Sequence, residues 1–447
     1  MIHRRKFLAA SALSFTIVPR HVLGGKGQTA PSERVNIGGI GAGGQGGGDI
    51  GAVAANGANI VALCDVDERV AAGTFKRFPK ARRYKDFRVM LEKESKNIDA
   101  VTVGTPDHIH APATMMAMRL GKHVYCEKPL THTIYEARQL TLAAKKYKVA
   151  TQMGNQGHAT EGARLTNEWI QAGTIGTVRE VHVWTDRAGL YWPQGIATPT
   201  GSDPIPKELD WDLWLGPAPK RPYLSTYVPK MWRGWWDFGT GALGDMGCHI
   251  IDHPVWALQL GHPTSVESRV PFVGSLFKDN KINRDSFPHA AITYFEFPAR
   301  GKQPAVRMTW YDGGLMPQKP AEMSKQQKLP ANGVLYVGSK GKMFHGSHGG
   351  MPQLLPGDLI DAAKTVPKTM ARSVGHHKEW LVACKGGKKA ISDFSYSGPL
   401  TEIVLLGNLG LRAPGRKLMW DGKNMKITNA AELNQFVHKE YRKGWTL

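Results

Sequence analysis

The chain has 447 residues, 41% of them apolar and 9% aromatic, with a formal net charge of +21. That length allows two or three domains and a large buried core, and the apolar content excludes a disordered chain. Lysine and arginine are spread among acidic residues rather than blocked. This reads as a solvated basic surface, with attraction to acidic polysaccharide or an anionic envelope as the other use of the charge; no nucleic-acid-binding module accompanies it.

The first element is a leader. His3, Arg4, Arg5 and Lys6 precede an apolar run from Phe7 to Val18, closed by Pro19 and Arg20. The run is too short to span a bilayer, and no later run is long enough, so the mature chain is expected to carry no integral membrane segment. Two adjacent arginines ahead of it mark a Tat-type signal, with an ordinary secretory signal as the alternative. The expectation is a leader over 1–30 and export of the folded protein to the periplasm or cell envelope, often with a cofactor aboard. Cys64, Cys126, Cys248 and Cys384 lack metal or disulfide spacing and are expected to be buried free thiols, two of them at strand ends.

A nucleotide-binding pattern follows over 31–155. "RVNIGGI" (34–40) reads as a buried strand, "GAGGQG" (41–46) has G-x-G-x-x-G spacing, and a helix is predicted over about 47–56. A second strand, "NIVALCD", ends on Asp65. The motif alone is weak in a glycine-rich chain; strand, motif, helix, strand and terminal acid in that order are much stronger. Gly41 permits the tight turn, Gly43 the approach of a pyrophosphate, and Gly46 the close packing of helix on strand. The phosphates then face unpaired amides at the helix start. Asp65 can accept from an adenosine ribose and would repel a 2′-phosphate, which favours NAD over NADP.

The alternation continues. "IDAVTVG" (98–104) and "KHVYCEK" (122–128) read as buried strands, with helices near 110–120 and 132–147, and "VATQMG" (149–154) as a further strand. This is an α/β chain whose N-terminal part is a doubly wound parallel sheet, and ligands bind beyond the carboxyl ends of such strands. "TPDHIH" (105–110) and "EKP" (127–129) fall there, which makes Thr105, Pro106, His110, Glu127 and Lys128 candidate cofactor contacts. A partly desolvated Lys128 can also hydrogen-bond a substrate hydroxyl.

The second part, 156–447, carries short alternating strands at 178–186, 290–297 and 304–311 that fit an open, mostly antiparallel sheet. Residues 313–332 read as a mobile loop, and there are no internal repeats. "DMGCHIIDH" places Asp245, His249 and Asp252 on one helical face, with His253 adjacent. Three readings compete there: His249 as general base, a divalent-metal site, or helix capping and polar packing. Trp192, Trp211, Trp214, Trp232, Trp235 and Trp236 crowd a Pro- and Gly-rich stretch; aromatic faces suit sugars, though most tryptophans are core. Arg187 and Arg233 could hydrogen-bond hydroxyls or a carboxylate. Asn155, Gln156 and His158 sit at the expected hinge beside the cleft and are candidate substrate contacts, with Asp252 a further one.

"GAGGQG", "CDVD" (64–67), "TPDHIHA" (105–111), "CEKPL" (126–130) and "GTGALGDMGCHIID" (239–252) resemble the Gfo/Idh/MocA oxidoreductases, which include glucose–fructose oxidoreductase and inositol dehydrogenase. The likeness extends loosely to "LTEIVLLGN" (400–408) and "YRKGW" (441–445). It implies an N-terminal Rossmann domain, a C-terminal α/β domain whose sheet often forms a dimer or tetramer interface, and Lys128, Asp245 and His249 in the family's catalytic positions. The implied activity is NAD-dependent oxidation of a sugar or cyclitol hydroxyl; export of the folded protein to where free NAD is scarce adds the expectation that the cofactor is tightly bound. An NAD-dependent, redox-neutral glycosidase uses the same residues, and a non-catalytic NAD- or sugar-binding protein is the third reading.

Overall fold

The computed structural model describes residues 33–189, 191–271 and 285–447; the leader expected over 1–30 lies outside them. Fifteen strands form two sheets among these residues. The first has six parallel strands: β1 (Asn36–Ile40), β2 (Asn59–Cys64), β3 (Arg82–Tyr84), β4 (Ala100–Val103), β5 (His123–Cys126) and β6 (Thr151–Met153), in the order β3-β2-β1-β4-β5-β6. The pairs Ile40–Cys64, Ile40–Val103, Val103–Cys126 and Cys126–Met153 are in register. All these strands therefore end along one line, and Gly41, Asp65, Gly104, Glu127 and Gly154 follow side by side just past it. The parallel pairing continues there, with each of the amides of Gly41, Gly104, Glu127 and Gly154 2.8 Å from a neighbouring carbonyl. β3 has no counterpart in the sequence reading because Arg82, Arg83 and Tyr84 carry no apolar alternation.

The second sheet has nine strands: β7 (Val178–Trp184), β8 (Ser265–Arg269), β9 (Ile292–Phe297), β10 (Val306–Tyr311), β11 (Gly333–Gly338), β12 (Lys342–Gly346), β13 (Gln353–Leu355), β14 (Leu418–Asp421) and β15 (Lys426–Ile427). Pairing is antiparallel except between β7 and β10. β9 alternates buried and half-buried residues, as a strand with one covered face does. Residues 313–332 hold no helix or strand, yet Met323 inserts among Trp184, Leu335 and Phe344, so this loop is packed onto the sheet.

The helix Phe394–Arg412 runs through the core and is buried at nearly every position from Leu400 to Leu411. It packs on the helix Gly241–Ile250 through glycines: a Cβ on Gly247 would lie 3.0 Å from both Val404 methyls, and one on Gly407 would lie 2.2 Å from a Leu243 methyl. This close contact fixes the helix that carries Asp245 and His249. Trp211, Trp214, Trp235, Tyr227 and Phe238 pack into a separate aromatic core in the segment between β7 and β8. The chain end returns to the first sheet, where Tyr441 Oη donates to Glu136 at 2.6 Å.

Candidate active site

A cavity of about 760 Å³ runs along the line of strand ends, a size typical of small-molecule sites. One end is the glycine turn. Gly41 has φ +81°, which only glycine adopts without strain, and a Cβ on Gly46 would lie 2.1 Å from the Gly41 carbonyl. The helix Gly44–Ala55 therefore starts three residues earlier than its sequence suggests and presses onto β1. It begins with no side-chain cap and no acid in its first turn, so its amides are left to an outside anion. Asp65 Oδ2 accepts from the amides of Ala42 at 2.8 Å and Gly43 at 3.1 Å, and Oδ1 accepts from Asp67 N at 2.9 Å. Burial pushes the Asp65 carboxyl up to about 6 against these hydrogen bonds. The turn, the uncapped helix start and the acid at the end of β2 fit the pyrophosphate and ribose of a dinucleotide.

Thr105, Pro106, Glu127 and Lys128 line the same cavity. His110 does too, but both its ring nitrogens lie 2.8 Å from carbonyls, those of Pro129 and Thr105. It ties the loops after β4 and β5 together. Glu127 is buried; Gln156 Nε2 donates to it at 2.8 Å.

At the other end stand Lys128, Asp245 and His249. Lys128 Nζ donates to the Asp245 main-chain carbonyl at 2.8 Å and to its carboxylate at 2.9 Å. Arg233 Nε approaches the same carboxylate at 3.2 Å and Arg187 Nε at 3.7 Å. Burial raises the Asp245 carboxyl, but Lys128, Arg233 and Arg187 together hold it below its ordinary range. His249 is pushed well below its ordinary value by burial and by the Lys128 charge, so its imidazole is neutral; its Nδ1 has no hydrogen-bond partner. The ring of His348, 4.0 Å away centroid to centroid, covers it from the turn after β12. Trp192, Tyr191, Trp214 and Trp232 complete the wall, while Trp235 is fully buried elsewhere.

Three expected substrate contacts lie elsewhere. The helix Gly241–Ile250 is followed by a short one, Asp252–Ala257, and Ile251 between them keeps helical angles. Asp252 accepts from His158 Nδ1 at 2.9 Å, Asn155 Nδ2 at 3.1 Å and Tyr396 Oη at 2.5 Å. Asn155, His158 and Asp252 are each at most 1% exposed, and none lines the cavity; they brace it from behind, and of the hinge trio only Gln156 reaches it. Among the described residues, no group of three or more His, Cys, Asp or Glu side chains is placed to hold a metal ion. All four cysteines are free; Cys64 and Cys126 end strands, and Cys384 is half-buried rather than buried. Two residues that no local pattern marks as site residues also line the cavity: His348, in the turn "HGSHGG" (345–350), and Trp445, from the chain end.

A family model for the NAD-binding Rossmann fold of an oxidoreductase family matches residues 35–155, and one for the C-terminal alpha/beta domain of the same family matches 164–271. The levoglucosan dehydrogenase of Pseudarthrobacter phenanthrenivorans is 25% identical over 190 residues, 42% of this chain and 40% of that protein. The inositol 2-dehydrogenase of Rubrobacter xylanophilus is 34% identical over 166 residues, 36% of this chain and 46% of that protein. These matches span less than half the length of either relative. The WlbA dehydrogenase of Bordetella pertussis, solved with NADH and UDP-GlcNAcA, superposes with a TM-score of 0.60 at 16% identity, covering 87% of this chain and 98% of that one. At that identity the likeness is one of fold. With both family models matched in order along one chain, and the strand-end crevice they describe in place, the protein belongs to the Gfo/Idh/MocA oxidoreductase family.

Proposed function

We propose that the protein is an NAD-dependent oxidoreductase acting on a sugar or cyclitol hydroxyl. One observation carries this reading: Lys128, Asp245 and His249 line the same cavity as the glycine turn and Asp65. Bound NAD supplies the hydride acceptor. Lys128 has three N–H donors, two of them spent on Asp245, and the third is free for the substrate hydroxyl oxygen. Neutral His249 accepts the hydroxyl proton as the C–H bond gives up its hydride. Lys128, Arg233 and Arg187 converge on the Asp245 carboxylate, Arg187 being paired also to Asp186 at 2.7 Å; the positive charge left over stabilises negative charge developing on the substrate oxygen. Tryptophans 192 and 232 offer faces for the sugar ring. Asp65 favours NAD over NADP by repelling a 2′-phosphate. The twin-arginine leader supports loading of the cofactor before export, and hence a cofactor retained through turnover.

The test starts with protein as purified, heat-denatured, and the supernatant assayed for NAD. Stoichiometric NAD is expected; none, with weak binding on titration, overturns the retained-cofactor reading. A panel of sugars, cyclitols and aryl glycosides is then added. Reduction of bound NAD without aglycone release is the expected result. Aglycone release without an added oxidant assigns the protein instead to redox-neutral glycoside cleavage.

A further inference from the structure

We propose that the C-terminal tail, residues 441–447, is a clasp on the adenine end of the cofactor crevice, with Trp445 as the wall against which the base packs. This rests on the NAD reading above and extends it to a segment outside both matched family models, which end at residue 271.

The placement follows from the strand order. Moving outward from the glycine turn, the next strand end is that of β2, where Asp65 marks the ribose, and the next is that of β3, followed by Lys85, Asp86 and Phe87. The adenine, beyond the ribose, falls on this edge. Lys85, Asp86, Phe87, Leu213, Trp214 and Trp445 line the cavity here.

Trp445 is held from several sides. Its ring centroid lies 5.9 Å from that of Phe87. The Arg88 guanidinium sits 4.3 Å over its ring and donates to the Gly444 carbonyl at 3.2 Å, while gripping Asp86 at 2.7 Å. A Cβ on Gly216 would come within 3.7 Å of the indole. Arg442 donates to the Gly216 carbonyl at 2.8 Å and to the Asp212 carboxylate at 2.5 Å, and its amide donates to the Pro217 carbonyl at 3.1 Å. Arg119 fastens the last residue by donating to the Leu447 carbonyl at 2.7 Å. The anchors come from the parallel-sheet domain on one side and from the 212–217 segment on the other. The tail therefore bridges two walls of the crevice, and a base leaving it must displace the indole or the tail. An indole face packed on a purine is a strong, sequence-tolerant contact.

The experiment compares full-length wild type with Trp445→Ala, Trp445→Phe and Arg442→Ala. Calorimetric titration of cofactor-free protein uses three probes: NAD, ADP-ribose, which keeps the adenosine half, and NMN, which lacks it. Trp445→Ala is expected to weaken NAD and ADP-ribose by about tenfold or more and to leave NMN unchanged; Trp445→Phe should lose no more than about twofold. Arg442→Ala should speed NAD release without changing NMN affinity. Should Trp445→Ala fail to fold, Trp445→Leu keeps apolar volume without the aromatic face and is expected to show the same selective loss. NAD affinity unchanged in Trp445→Ala, or NMN weakened in parallel with NAD, overturns the clasp while leaving the NAD reading intact. Wild type that binds none of the three probes overturns the NAD reading, and the clasp with it.

Discussion

Lys128 Nζ donates twice to Asp245, once to its main-chain carbonyl at 2.8 Å and once to its carboxylate at 2.9 Å. One contact fixes the lysine to the helix backbone and the other to the side chain, so the ammonium is aimed with little freedom left. An aimed ammonium contributes through geometry as much as through charge. Replacing Lys128 with Met keeps the stem and removes the head. The expected result is a loss of turnover of about 10²- to 10⁴-fold with NAD content unchanged, read by single-turnover reduction of bound NAD. Lys128→Arg should not rescue, because a planar fork cannot make both contacts to Asp245 in the same place. Near-normal turnover in Lys128→Met would refute the assignment.

The same pair makes a stability prediction. Lys128 and Asp245 are only 13% and 12% exposed, so Asp245→Asn leaves Lys128 and Arg233 against a neutral amide, while Arg187 keeps Asp186 at 2.7 Å. Loss of one member of a buried pair costs about 3 kcal/mol. The folded-state pKa of Asp245 is depressed, so its contribution is present above the ordinary carboxylate range and is lost as pH falls through the folded value. Denaturant unfolding should show a gap between wild type and Asp245→Asn at about pH 7 that narrows towards about pH 3. A gap that stays constant with pH would mean that the pair carries no linked proton.

Gly46→Ala tests the cradle. The added methyl would lie 2.1 Å from the Gly41 carbonyl, backbone against backbone, with the Gly104 carbonyl also within 3.1 Å. The turn must move, at a cost of about 1–3 kcal/mol, and the amides presented to the pyrophosphate move with it. NAD content and melting temperature should both fall. Full NAD content in Gly46→Ala would show that the phosphates lie elsewhere.

How far the sequence discloses this site depends on how local each contact is. The strand–turn–helix around residues 34–56 is legible because periodicity, glycine spacing and the acid at 65 act within one short stretch. β3 escapes because a three-residue edge strand of arginines and a tyrosine carries no buried pattern. Asp252 misleads for a different reason: helical spacing puts it near the face of His249, but two turns on from Asp245 its carboxylate is buried behind the cavity against His158 and Tyr396. His348 and Trp445 reach the cavity from the turn after β12 and from the chain end, and contacts of that sequence separation leave no mark on local pattern.

Cofactor choice should turn on Asp65. On the NAD reading proposed above, its carboxylate meets the ribose and would repel a 2′-phosphate; it also holds the amides of Ala42 and Gly43. Asp65→Ser removes the repulsion and keeps a small acceptor. The ratio of NADP to NAD affinity is expected to rise by about tenfold or more, even as NAD itself binds less well. Fluorescence titration with NADH and NADPH reads both. An unchanged ratio would place the ribose away from Asp65.

The cofactor crevice also rests on two buried acids, Asp49 and Glu127. Burial pushes Asp49 up to about 7; burial and the neighbouring Asp49 push Glu127 up to about 8. Both folded values lie above the ordinary carboxylate range of about 4, so the folded protein keeps protons that the unfolded chain releases. Their contribution to stability should therefore fall as pH rises from about 4 to about 8 and then level off. Glu127→Gln removes one of these protons from the balance while keeping an acceptor for Gln156 and the shape that Gly154 accommodates, its Cα leaving room for Glu127 Oε1 where a Cβ would lie 2.1 Å away. Against wild type, the variant should be equally stable near pH 4 and more stable above about pH 8. Melting temperatures of cofactor-free protein across that range decide it: parallel curves would mean that Glu127 is ionised in the fold at neutral pH, and that its burial is relieved by a partner other than Gln156.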